Sequence, residues 1–145
     1  MGKPTVEISA DTRSRIERHI DDLASSDKAT ALPAERRLIR FGSKAVELLI
    51  EAANSVESQV RFRSVWALGK SRDERALPTI LRLTKDLDGA VAYDAIMALG
   101  ELGDMRAVPY LFELAAMPND ERSLVSASRT ALARLGHPVD WDDEE

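Results

Sequence analysis

Twelve consecutive residues of this chain recur 31 positions later, and that recurrence decides the fold class. Ala67-Leu68-Gly69-Lys70-Ser71-Arg72-Asp73-Glu74-Arg75-Ala76-Leu77-Pro78 overlays Ala98-Leu99-Gly100-Glu101-Leu102-Gly103-Asp104-Met105-Arg106-Ala107-Val108-Pro109 without a gap, with seven of twelve positions identical. The same shift pairs Val60 with Val91, Val65 with Ile96, Ile80 with Leu111 and Leu83 with Leu114. One step back, Lys44-Ala45-Val46 stands 31 residues before Arg75-Ala76-Leu77. A further partial copy, Ala131 to Gly136, follows Ala95 to Gly100 at an offset of 36, which implies about five inserted residues near Met117 to Arg122. A unit of this length cannot bury its own apolar face, so neighbours must stack to make a core.

Each copy reads as two helices. Val56, Val60, Ser64, Val65 and Leu68 recur at helical spacing and predict one buried stripe. Asn54, with Glu57 three residues on, is the expected N-cap of that helix, and Gly69 its expected stop. Asp73 then caps a second helix, whose buried side is Ala76, Leu77, Ile80, Leu81 and Leu83, with Pro78 in its first turn. The next copy repeats the scheme with Asp88, Gly100, Asp104 and Pro109. No segment alternates with period two, so no strand is expected.

The ends depart from the pattern. A helix is expected over 10–24, with Ile16, Ile20 and Leu23 on one side, and another over 27–41, bent or restarted at Pro33. A last helix over 121–135 has no partner after it. The division expected is a flexible 1–9, one domain over 10–136 and an acidic tail over 137–145. Within the domain the repeats run about 27–54, 55–86 and 87–117, with a half repeat over 120–136. Trp141 in the tail is a candidate cap for the open end.

A helix pair of about 30 residues, with Ala-Leu-Gly closing one helix and Asp-x-Arg-Ala-Val-Pro opening the next, resembles the short HEAT-like repeat named after the phycobilin lyases. The resemblance is strong over 57–116 and weaker over 33–54 and 120–136. It implies an all-α, right-handed solenoid of antiparallel helix pairs. It also implies that the second helix of each pair lines an inner groove that binds a partner. Projected onto those helices, three columns recur: Lys44, Arg75, Arg106; Leu48, Thr79, Tyr110; and Glu51, Arg82, Glu113. Tyr and Arg are enriched at binding hot spots, so a protein or peptide partner is expected there. Asp73 with Arg75 and Asp104 with Arg106 also read as a turn ladder joining one repeat to the next.

Charge and composition narrow the function classes. The chain has no cysteine, which excludes a disulfide scaffold, a thiolate nucleophile and a cysteine zinc site. Its two histidines, His19 and His137, lie near opposite ends with no second ligand at metal spacing. No Gly-x-Ser-x-Gly elbow and no phosphate-binding glycine pattern is present. A non-enzymatic module without cofactor is therefore expected, the alternative being a lyase-like subunit of an enzyme complex. The net charge of −5 conceals a polarity: residues 36–85 carry 11 basic against 5 acidic side chains, and residues 86–145 carry 4 against 13. The basic middle raises the alternative of nucleic-acid binding, against which stand the acidic total and the few aromatics available for stacking. Opposite poles also suggest self-association through the open C-terminal end. Neither a signal-peptide stretch nor a membrane-length apolar run is present, so a soluble cytoplasmic protein is expected.

Overall fold

In a computed structural model, which describes residues 5–117 and 122–138, every regular element is helical. Eight α-helices follow in order among those residues: α1 (Ala10–Asp22), α2 (Lys28–Phe41), α3 (Val46–Ala52), α4 (Ser58–Ser71), α5 (Leu77–Leu83), α6 (Gly89–Leu102), α7 (Val108–Ala115) and α8 (Arg122–Arg134). They stack as an α-solenoid of helix pairs. The expected acidic tail with Trp141, and most of the insertion after Met117, lie outside the described residues. No described helix is long and apolar enough to cross a membrane.

The pairs are asymmetric. A long helix (α2, α4 or α6) is followed by a short 3₁₀ turn and a short helix (α3, α5 or α7). The turns are Gly42–Ala45, Glu74–Ala76 and Met105–Ala107. Asp73 and Asp104 each accept the backbone N–H two residues on, at 3.0 Å, and so start their turns. Pro78 and Pro109 occupy the first turn of α5 and α7, where the missing N–H has no intrahelical acceptor to lose. Asp88 caps α6 by accepting from Ala90 and Val91, and Ser9 and Asp27 cap α1 and α2.

Several local expectations need correction. Asn54 does not cap α4: its side-chain amide turns back to the Ile50 carbonyl at 3.2 Å, and the cap position is Glu57. Glu57 stands 31 residues before Asp88, so the repeat register, rather than the nearest Asn, locates the helix start. Val56 lies before the helix and is 96% exposed, outside the buried stripe. Pro33 neither breaks nor restarts α2, which runs through it between the buried Ala31 and Ala34. Gly69 and Gly100 do not end their helices. Both α4 and α6 continue for two residues and end at Arg72 (φ 55°) and Gly103 (φ 78°), left-handed positions 31 residues apart.

The two internal glycines serve packing instead. A Cβ on Gly69 would lie 2.8 Å from the Cβ of Ala98 and 3.0 Å from its Cα. A Cβ on Gly100 would lie 3.0 Å from the Cα of Ala131. They let α4 close on α6 and α6 close on α8, the most extensive helix contacts in the molecule. Successive short helices hardly touch. The long helices therefore pack directly on one another, whereas the second helices stand apart. The core runs between the layers. Leu68, Ile80, Ile96, Leu99, Leu111 and Leu132 are fully buried there, each contributing about 1.5–3 kcal/mol by its removal from water.

Candidate binding groove on the long-helix face

The three projected columns do not make one surface. Leu48 and Thr79 are buried, at 5% and 7% exposure, and belong to the core. Tyr110 is half-buried, with its hydroxyl 2.5 Å from the Thr84 hydroxyl at the end of α5, which holds it in place. Lys44, Glu51, Arg82, Arg106 and Glu113 are exposed. Arg75 is not: its side chain is 9% exposed and is gripped by Asp73 at 2.7 Å, Glu47 at 2.8 Å and the Ser43 carbonyl at 3.1 Å. That guanidinium joins two repeats. Among the described residues Arg106 makes its ion pair with Asp104 in its own turn. The position that would match Glu47 one repeat later is Pro78, and Glu74 of the preceding repeat acts on Arg106 through its charge without forming an ion pair.

The face of the long helices carries a different assembly. Lys28, Leu32 and Glu35 from α2, Phe62, Arg63 and Trp66 from α4, and Asp94 from α6 line a groove of about 420 Å³. Leu32 in its lining is 40% exposed. The groove exists because of the repeat: Leu32, Arg63 and Asp94 hold one register position, and Glu35, Trp66 and Met97 another, each 31 residues apart. Side chains at one register position of adjacent, closely packed helices must lie side by side.

Its electrostatics are unequal. Arg63 is buried and donates through Nη1 to Glu35 Oε2 at 3.3 Å, while its Nε has no partner. Burial pushes the Glu35 carboxyl up, an effect the neighbouring Arg63 opposes. Asp94 has no such counter-ion and no hydrogen bond or ion pair among the described residues, and burial together with the Glu35 charge raises it to about 6. Beyond the groove, Lys70 sits over the Trp66 ring at 4.9 Å and bonds Glu101 at 3.1 Å, and Arg134 of α8 bonds the same carboxylate. That chain of charges spans three long helices and holds the Trp66 ring from one side. The projected columns follow the second helices, whereas the same 31-residue register on the first helices aligns these side chains.

The HEAT-repeat family model matches residues 20–91 and 46–133. The chain belongs to the HEAT-repeat family. No curated protein matches it in sequence. Among solved structures it is similar to human deoxyhypusine hydroxylase in complex with glycerol, with a TM-score of 0.70 at 19% identity. The match covers 86% of this chain and 44% of the hydroxylase, so this HEAT-repeat chain spans less than half of that enzyme's length. At that identity the likeness concerns the fold alone. Among the described residues no group of three or more His, Asp or Glu is placed to hold a metal ion.

Proposed function

We propose that this HEAT-repeat chain is a non-enzymatic binding module whose long-helix groove takes a protein or peptide segment bearing an Arg or Lys beside an apolar residue. The observation that carries the reading is Asp94, a carboxylate held half-buried among Leu32, Phe62 and Trp66 with no cation of its own. Keeping an unpaired charge in such a place is costly, and an incoming cation removes the cost. Trp66 and Phe62 supply the apolar and cation–π surface for the stem of such a side chain. The groove replaces the second-helix columns as the docking place, because Leu48, Thr79 and Arg75 are not available to a partner.

Nucleic acid fits the basic middle less well. Arg61, Arg63, Lys70 and Arg75 are already paired with Asp86, Glu35, Glu101 and Asp73. The test is an NMR titration with short peptides that place one Arg between leucines, against the same peptides with Glu there. The Arg peptide moves the Trp66 indole N–H and the amides around Asp94, more strongly at pH 7 than at pH 5, and Asp94→Asn abolishes the effect. Equal shifts from the Glu peptide, or shifts that survive Asp94→Asn, overturn the reading.

A further inference from the structure

Arg61, Arg63, Lys70 and Arg75 are taken up by internal ion pairs, but among the described residues Arg15, Arg37 and Arg40 at the N-terminal end of the stack are not. Arg15 and His19 of α1 and Arg37, Arg40 and Phe41 of α2 line a separate pocket of about 400 Å³. Arg37 and Arg40 make no ion pair or hydrogen bond with a described residue, and Arg15 lies over the Phe41 ring, 5.8 Å from its centroid. His19 stacks at a tilt against the same ring, 6.2 Å away, and its Nδ1 is buried without a partner. No carboxylate lines the pocket.

Arg15, Arg37 and Arg40, all exposed, bring three positive charges to one concavity, and like charges there repel one another. The arrangement is stable with an anion among them, and guanidinium pairs recognise a tetrahedral oxyanion with two parallel N–H···O bonds each. We infer that the pocket between α1 and α2 binds the phosphate group of a small molecule, with Phe41 against the apolar or aromatic part next to it. This site rests on residues separate from the groove of α2, α4 and α6, and neither reading depends on the other.

His19 reports on the pocket from inside. Its imidazole is held below the ordinary histidine range, first by burial and then by Arg37, with Arg18 and Arg15 acting in the same sense. From α1 only Asp22 opposes them, and no charged group of α3, which also packs on α1, is among the groups that move it. A bound dianion cancels that positive field and raises the His19 titration midpoint.

The experiment is an NMR pH titration of the two histidines in the full chain with inorganic phosphate, phenyl phosphate or sodium chloride at matched ionic strength. His137, beside Phe112 at the other end of the stack, is the internal control. Phosphate and phenyl phosphate raise the His19 midpoint and leave His137 unmoved, with phenyl phosphate saturating at lower concentration because its ring meets Phe41. The double variant Arg37→Ala/Arg40→Ala loses roughly tenfold or more in affinity, the scale of lost charged hydrogen bonds, with an unchanged helical melt. An equal shift from chloride, or undiminished binding by the double variant, overturns the proposal. A short single-stranded oligonucleotide that saturates the site below phenyl phosphate and also shifts amides over residues 58–85 overturns the small-molecule assignment in favour of a nucleic-acid surface.

Discussion

The long-helix layer (α2, α4, α6 and α8) and the short-helix layer (α3, α5 and α7) are built on opposite principles. In the long layer, Gly69 and Gly100 remove side chains so that α4, α6 and α8 touch backbone to side chain. In the short layer, a 3₁₀ turn and a proline start each of α5 and α7, and successive helices stand apart. Close packing brings register-related side chains within reach of one another, which is why the long layer carries the groove. Separation leaves the short layer dependent on single long-reaching side chains. Arg75 spans the gap to Glu47, and Arg106, lacking a matching carboxylate, does not span it.

The strongest way to break this contrast is to fill the close contact. Gly69→Ala is expected to lower stability by about 1–3 kcal/mol, the usual cost of overpacking, although alanine is the better helix former. Gly89→Ala, at the open start of α6 with nothing near its Cβ, is expected to raise stability by about 0.4–1 kcal/mol. Paired thermal melts check both, and equal signs for the two would refute the packing role of Gly69.

Within the short layer, Arg75→Ala is expected to cost about 1–3 kcal/mol, because it removes the charged hydrogen bonds of a buried guanidinium to Asp73 and Glu47 and with them the tie between two repeats. Arg106→Ala, at a side chain 66% exposed, is expected to leave the chemical denaturation midpoint unchanged. A similar loss from both would mean that the ladder does not depend on reaching the previous repeat.

The effect that depends on pH belongs to the groove. Asp94 is raised from 3.8 to about 6 in the folded chain, so the folded state binds the proton more tightly than the unfolded chain does. Its contribution to stability is therefore present below about pH 4 and is lost as pH rises through about 6. Asp94→Asn should melt with the wild type near pH 4 and above it at pH 7. Coincident melts at both values would remove the electrostatic strain from which the proposed partner site is argued.

Much of the helix plan was legible because repeat arithmetic averages over local ambiguity. Asp73, Asp88 and Asp104 act as the caps expected from their spacing, and Pro78 and Pro109 lie at the helix starts. Asn54 misled because a good capping residue was weighed without its register. Gly69 and Gly100 misled because glycine is read most readily as a stop, whereas here its missing Cβ matters to another helix. The candidate site was not legible. Asp94 reads as one more solvated helix carboxylate until the neighbours of α6 are known.

The 31-residue recurrence by itself determined that the chain is an all-helical stack, since its apolar stripes match helices too short to bury their faces alone. Which layer closes up, and therefore which side chains share a groove, only the tertiary structure decided. Sequence spacing puts equivalent residues on equivalent faces. The distance between those faces depends on how nearly two backbones approach, and that is set by contacts such as Gly69 on Ala98 that no single helix contains.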